Sequence, residues 1–209
     1  MKNDNRPIGV FDSGLGGLTV LKALKDMFPN ESFIYFGDTA HLPYGTKSKE
    51  TIIEYSKQIC DFLDEQNVKL IVIACNTASA LAFEFLKKYT SIPIVNVIDP
   101  CVQYATRKTK NHIIGVIGTK ATINSQAYSN KLKSIHNDLK IIAQACPLFV
   151  PIIEEGLINS KITNDICDLY LNKSIFKSID TLILGCTHYP LLIHNIQKYF
   201  SKNVLIIDS

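Results

Sequence analysis

Short apolar runs alternate with stretches of helical periodicity along the whole chain. The runs fall at residues 8–11, 32–36, 70–74, 92–98, 112–117, 139–146, 181–184 and 204–207. Apolar runs of four to eight residues bounded by turn signals predict buried strands. Between them, Leu18, Leu21, Leu24 and Phe28 recur at helical spacing, as do Ile52, Tyr55, Ile59, Phe62 and Leu63. Ser48 is placed to cap the second of these helices, with Glu50 in its first turn. Further helices are expected over 78–89, 147–156, 161–176 and 189–200. The third of these has Ile162, Ile166, Leu169, Leu171 and Ile175 as its apolar markers. Strand and helix in alternation predict an α/β fold with mostly parallel sheets.

The pattern also repeats. Ile8-Gly9-Val10-Phe11-Asp12-Ser13 resembles Ile114-Gly115-Val116-Ile117-Gly118-Thr119, and Cys75-Asn76-Thr77 resembles Cys186-Thr187-His188. Asn96-Val97-Ile98-Asp99 resembles Ile206-Ile207-Asp208. Three matches in one order at nearly constant spacing predict two similar α/β domains related by a pseudo-twofold, with the two cysteines on opposite walls of a cleft.

Composition narrows the partners. With 20% charged residues and a net charge of +3, the chain has ordinary globular composition. Its densest basic patch, Arg107-Lys108-Thr109-Lys110, lacks interleaved aromatics, which argues against nucleic acid. No apolar run reaches the roughly 18 residues that span a membrane. The first residues carry no secretory pattern, so a cytoplasmic protein is expected. Six cysteines without paired spacing do not read as a disulfide framework.

Cys75 and Cys186 each end an apolar strand and precede a hydroxyl-bearing residue and a helical stretch. Ligands and chemistry gather at the carboxyl ends of strands in open α/β sheets. Two opposed thiols suit inversion at a carbon that bears a weakly acidic proton, one thiol as base and the other as acid. Asp12 or His188 could accept or relay a proton, and a following helix N-terminus would favour the thiolate. The same residues admit other readings. Cys75, Cys186, His188 and Asp12 could ligate zinc, or the cysteines could pair as a redox disulfide, but neither has C-x-x-C spacing. Gly14-Leu15-Gly16-Gly17 falls short of a dinucleotide fingerprint because Thr19 replaces its last glycine. It reads instead as a tight turn needing positive φ. A pyridoxal enzyme would need a Schiff-base lysine, for which Lys120 is the candidate. Cys60, Cys101, Cys146 and Cys167 read as packing. The chain has only two arginines, Arg6 and Arg107, and neither lies in a motif. An anionic ligand would therefore be held by backbone N–H groups and hydroxyls.

Four motifs in combination carry a family resemblance. They are Phe11-Asp12-Ser13-Gly14-Leu15-Gly16-Gly17-Leu18-Thr19-Val20, Leu42-Pro43-Tyr44-Gly45, Ala74-Cys75-Asn76-Thr77-Ala78-Ser79-Ala80 and Leu184-Gly185-Cys186-Thr187-His188-Tyr189-Pro190-Leu191-Leu192. From about Pro7 to Ser209 the chain resembles the glutamate racemases of the aspartate/glutamate racemase superfamily. The resemblance implies a cofactor-independent, metal-free enzyme interconverting L- and D-glutamate and supplying D-glutamate for peptidoglycan. It implies Cys75 as the base toward D-glutamate, assisted by Asp12, and Cys186 as the base toward L-glutamate, assisted by His188. Asp38 and Glu154 match acidic catalytic positions. Ser13, Pro43, Tyr44, Gly45, Asn76, Thr77, Thr119, Thr122 and Thr187 match substrate-binding positions, together with Asp12 and His188. It further implies a homodimer. The expected domains are residues 1–97 with 204–209, and residues 98–203. The resemblance also implies a helix after the last strand that returns to the first domain, beyond the residues ending at Ser209.

Overall fold

A computed structural model describes residues 4–209. The chain forms two compact units, one ending at Val97 and the other beginning at Ile98. The first unit runs β1 (Ile8–Asp12), α1 (Leu18–Met27), β2 (Phe33–Gly37), α2 (Lys49–Glu65), β3 (Leu70–Ile73), α3 (Asn76–Leu81), α4 (Phe83–Tyr89) and β4 (Ile94–Asn96). Its four strands are parallel in the order β2-β1-β3-β4. Side chains alternate across the sheet, as the two-residue period of a strand requires. Phe11, Ile71 and Ile73 pack with Ile52, Ile59 and Leu63 of α2 and Leu86 of α4. Val10, Val72 and Ala74 meet Val20, Leu21 and Leu24 of α1.

The second unit runs α5 (Ile98–Lys108), β5 (Ile113–Gly118), α6 (Lys120–Asn124), α7 (Ala127–Ile135), β6 (Lys140–Ala145), α8 (Phe149–Glu154), α9 (Lys161–Leu171), β7 (Thr181–Gly185), α10 (Ile193–Gln197) and β8 (Leu205–Asp208). Its sheet is parallel in the order β6-β5-β7-β8, the same order as in the first unit. Ile117, Leu182 and Leu184 build its core with Phe149, Tyr170, Leu171, Tyr189 and Leu192. The first two matches of the repeat fall at equivalent sheet positions, β1 with β5 and β3 with β7. The third is out of register, because Asn96 opposite Ile73 corresponds to Asp208 opposite Leu184, while Ile98 and Asp99 lie in α5.

Several expectations change. Residues 204–209 do not join the first unit, because β8 pairs with β7 from Thr181↔Leu205 to Leu184↔Asp208. The predicted strand 92–98 is only three residues long, and Ile98 already opens α5. The stripe read on α9 is only partly the buried one: Ile166 and Leu171 pack on the core, but Ile162 and Leu169 are 53% and 60% exposed, and Thr163, Cys167 and Tyr170 complete the buried face. Spacing alone admits either face, and the sheet selects one. In α1, Leu18 and Phe28 are likewise exposed, and the face carrying Val20, Leu21 and Leu24 meets the sheet. The helix expected over 189–200 divides into a 3-10 turn, Tyr189–Leu192, and α10. Ser48 caps α2 as expected, accepting from Thr51 N–H. Among the described residues, no helix is long and apolar enough to cross a membrane.

Leu182 is fully buried in the middle of β7. Leu182→Ala is expected to destabilise the second unit by about 2–5 kcal/mol, the usual cost of a core leucine cavity. A shift of the urea unfolding midpoint at unchanged slope measures it.

Candidate active site

Strand order determines where functional side chains collect. From β1 the chain moves to β2 on one side and then to β3 on the other, so the order reverses between β1 and β3. The crevice beyond the carboxyl ends of two such strands is the usual ligand site of an open parallel sheet. Asp12 ends β1, and Cys75 lies two residues beyond the end of β3. The second unit reverses between β5 and β7, where Thr119 follows β5 and Cys186 follows β7.

Ala74 N–H donates to the Phe11 carbonyl at 2.8 Å, which carries the β1–β3 pairing up to the thiol. Cys75 is the N-cap of α3, and its Sγ accepts from Ala78 N–H at 3.5 Å. It is 4% exposed. Burial first, and the Asp12 carboxylate second, push the thiol from 9.0 up to about 12; donation from Ala78 and from Ser13 works in the opposite direction. Asp12 is fully buried, and its Oδ2 accepts from Gly14 N–H and Gly17 N–H at 3.1 Å each. None of Gly14, Gly16 and Gly17 is in the left-handed region expected of this turn, Gly17 having φ −67°. At Gly17 glycine is needed for space, since a Cβ would lie 2.5 Å from Asp12 Cβ. At Gly37 a Cβ would lie 2.5 Å from the Gly14 carbonyl oxygen.

Asp38 and Tyr44 are also buried beside this strand edge. Asp38 N–H donates to the Asp12 carbonyl at 3.0 Å, and the Tyr44 hydroxyl donates to Asp38 Oδ2 at 2.6 Å. Pro43 and Gly45 flank Tyr44, and the Leu42–Pro43 peptide is cis. Asn76 and Thr77 are buried in the first turn of α3. The first unit therefore brings together Asp12, Ser13, Asp38, Tyr44, Cys75, Asn76 and Thr77 of the expected residues.

In the second unit, Thr119 caps α6 by accepting from Thr122 N–H at 3.2 Å, and the two hydroxyls are 3.0 Å apart. Cys186 is buried at the end of β7, next to the buried Thr187. A 3-10 turn rather than a helix follows it, so the expected helix N-terminus is absent at this thiol. His188 is 4% exposed. Its Nδ1 lies 3.9 Å from Cys186 Sγ, and its Nε2 pairs with Glu154 Oε1 at the end of α8. Glu154, not its neighbour Glu155, makes this contact. A carboxylate behind an imidazole fixes the ring's orientation.

Two supporting residues escaped the sequence reading. The Tyr35 hydroxyl donates to the Gly14 carbonyl at 2.7 Å and so braces the loop around Asp12. Its position two before Gly37 on β2 was the available signal. In the second unit the Tyr128 ring fills the space beside Gly185, where a Cβ would lie 3.0 Å from the ring. That contact crosses from α7 to β7 and leaves no mark in the local sequence. Cys60, Cys101, Cys146 and Cys167 are free, buried thiols, with Cys60 and Cys101 pushed up to about 12 by burial. Arg6 is engaged by Asp4 at 2.7 Å on the surface, and Arg107 lies in the last turn of α5.

Residues 8–209 match the family model described as Asp/Glu/Hydantoin racemase. The chain belongs to this racemase family. A glutamate racemase of Aquifex aeolicus is 52% identical over 202 residues, covering 97% of this chain and 78% of that protein. One from Geobacter metallireducens is 48% identical over 204 residues, covering 98% and 76%. The crystal structure of the Francisella tularensis glutamate racemase in complex with D-glutamate superposes with a TM-score of 0.91 at 45% identity, covering 98% of this chain and 76% of that one. As a member of the racemase family with these relatives, the chain is an isomerase, and its two four-stranded parallel sheets are the racemase fold.

The thiol environment gives two expected outcomes. Asp12→Asn removes the second cause of the raised Cys75 value and leaves burial in place. Alkylation of Cys75 by iodoacetamide should then quicken at pH 8, because less negative charge opposes the thiolate. Peptide mass spectrometry reads the rate, and an unchanged rate refutes the Asp12 contribution. The buried thiols also bear on stability. Their folded values of about 11 to 12 exceed the ordinary 9.0, so the folded state holds protons that the unfolded state releases. Their contribution is complete below pH 9 and declines as pH rises through the folded values. Urea unfolding between pH 8 and 11 should show that decline.

Proposed function

We propose that this chain interconverts L- and D-glutamate by moving a proton at the α carbon between two cysteine thiols, without a cofactor. The observation that carries the reading is the equivalence of the two thiols. Each lies two residues beyond the register partner of its neighbouring edge strand, after Ile73 in one unit and after Leu184 in the other. Each also has an acid–base group of its own: Asp12 for Cys75, and the His188–Glu154 pair for Cys186. The Francisella relative's complex with D-glutamate supports the choice of substrate.

From L-glutamate, the Cys186 thiolate takes the α proton; the C–H bond breaks and an S–H bond forms. The Cys75 thiol then gives its proton to the opposite face and becomes the thiolate. The reverse reaction exchanges the roles. His188, held by Glu154, takes the Cys186 proton in advance, and Asp12 serves Cys75 in the same way. Burial and Asp12 favour the protonated form of Cys75. A bound amino acid brings an α-ammonium, and a positive charge near the sulfur lowers the cost of the thiolate. The intermediate carries its charge on the α-carboxylate. Fixed donors suit that charge better than water does. Ser13, Asn76 and Thr77, with Thr119, Thr122 and Thr187, supply hydroxyls, an amide and helix-terminal N–H groups. Asp38 and the Pro43-Tyr44-Gly45 segment complete the binding surface. The same reading takes the enzyme to be a cytoplasmic homodimer supplying D-glutamate for peptidoglycan.

Racemisation in heavy water tests the mechanism. At early times the inverted product should carry deuterium at the α carbon, while the remaining substrate keeps protium. Cys75→Ala and Cys186→Ala should each lower racemisation by about 10³-fold or more, the scale of a lost general acid or base. Equal early labelling of both enantiomers would point to a single base. Absence of labelling would remove the racemase reading, and turnover of aspartate in preference to glutamate would reassign the substrate.

A further inference from the structure

The carboxylate of Asp38 has two partners within its own unit. Its Oδ2 accepts the Tyr44 hydroxyl, and both of its oxygens lie within hydrogen-bond distance of His41 Nδ1, at 2.8 and 2.9 Å. A buried carboxylate is costly unless such donors surround it. Burial and Asp38 together push the Tyr44 phenol far above its ordinary range, so it remains a hydroxyl donor. The backbone of Asp38 is tied to the Asp12 carbonyl at 3.0 Å. Asp38 is thus a fixed post, and Tyr44 is fastened to it. His41 is the second fastening. It ends the 3-10 turn Thr39–His41, and its ring stacks on Tyr55 of α2 with centroids 4.0 Å apart and planes 20° apart. Tyr55 in turn lies 5.9 Å from Tyr44. The hydrogen bonds of Asp38 to His41 and Tyr44, the stack of His41 on Tyr55 and the tilted contact of Tyr55 with Tyr44 therefore close a ring through residues 38, 41, 44 and 55.

We propose that His41 is a positioning residue for substrate binding: through Asp38 it holds the Leu42–Gly45 segment in its binding conformation. The inference rests on the glutamate reading above, which assigns Pro43, Tyr44 and Gly45 to the substrate. His41 acts on Asp38 and not on the reacting carbon. Its side chain is 41% exposed, so truncation opens no core cavity and the fold is retained. What is lost is a donor to a buried charge, and that loosens the segment that Asp38 organises.

The test uses the full chain. His41→Ala should raise KM for glutamate by about tenfold, the effect of one hydrogen bond to a charged group, with kcat much less affected. His41→Asn places its amide nitrogen where Nδ1 sits but lacks the ring that stacks on Tyr55. It should restore KM to near the wild-type value. Hydrogen exchange of peptides spanning residues 38–47 should quicken in His41→Ala and return in His41→Asn, while the β1 peptide is unchanged. A normal KM and normal exchange in His41→Ala would overturn the inference while leaving the racemase reading intact. Impairment of His41→Asn equal to that of His41→Ala would also overturn it, since the stack on Tyr55 would then hold the segment. Failure of the wild-type chain to turn over glutamate would overturn the substrate reading and this inference with it, and that arm alone distinguishes the two failures.

Discussion

Everything at the candidate site depends on the lateral pairing of two parallel strands with opposite onward connections. In the first unit β1 and β3 lie side by side, and the hydrogen bond from Ala74 to Phe11 carries their pairing to the residue before the thiol. Backbone hydrogen bonds at a sheet centre are shielded from water, so the positions of Asp12 and Cys75 are set by the most rigid part of the unit. The chain leaves β1 toward β2 and leaves β3 toward β4. The two connections diverge, and the strand ends remain open to a ligand. The pairing of β5 with β7 does the same for Thr119 and Cys186.

Around that frame, burial governs the chemistry. A buried thiol without donors is a weak acid and an inert one, as Cys60 illustrates. Cys75 is raised to about the same value, but N–H and O–H groups from Ala78 and Ser13 are aimed at its sulfur. The cost of charging it is therefore one that a cation can offset. Cys186 has a different arrangement, an imidazole with a carboxylate behind it. The glycines of the first motif serve the same end. Gly17 and Gly37 leave room for the loop to close on Asp12, so the carboxylate receives two backbone donors while fully buried.

The alternation of elements, the parallel class of the sheets and the internal repeat were legible because each is a periodic property of the chain. Buried strands appear as unbroken apolar runs, and repeated strands repeat those runs. The positions of Cys75 and Cys186 followed from the same logic, as the first polar residues after such runs. The buried faces of α1 and α9 were only partly legible: Leu21, Leu24, Ile166 and Leu171 pack inward, but Leu18, Phe28, Ile162 and Leu169 do not, since apolar side chains on those helices exceed what one face can bury. The placement of β8 misled the reading for a related reason. An apolar strand can complete any sheet edge, and only the register with β7 assigns it to the second unit.

By itself, then, the sequence determined the fold class, the family, the two cysteines and the glycine-rich loop, because local patterning and motif identity require no knowledge of distant neighbours. Tertiary structure alone decided which carboxylate serves His188, what Gly17 is for, and how Asp38 comes to bind Tyr44 and His41. Glu154 and His188 are far apart in the chain and meet only because α8 and the turn after β7 share one core. Gly17 is defined by the side chain of Asp12 folding back over it. Pairings of this kind arise when separate elements pack together, and hydrophobic periodicity carries no record of them.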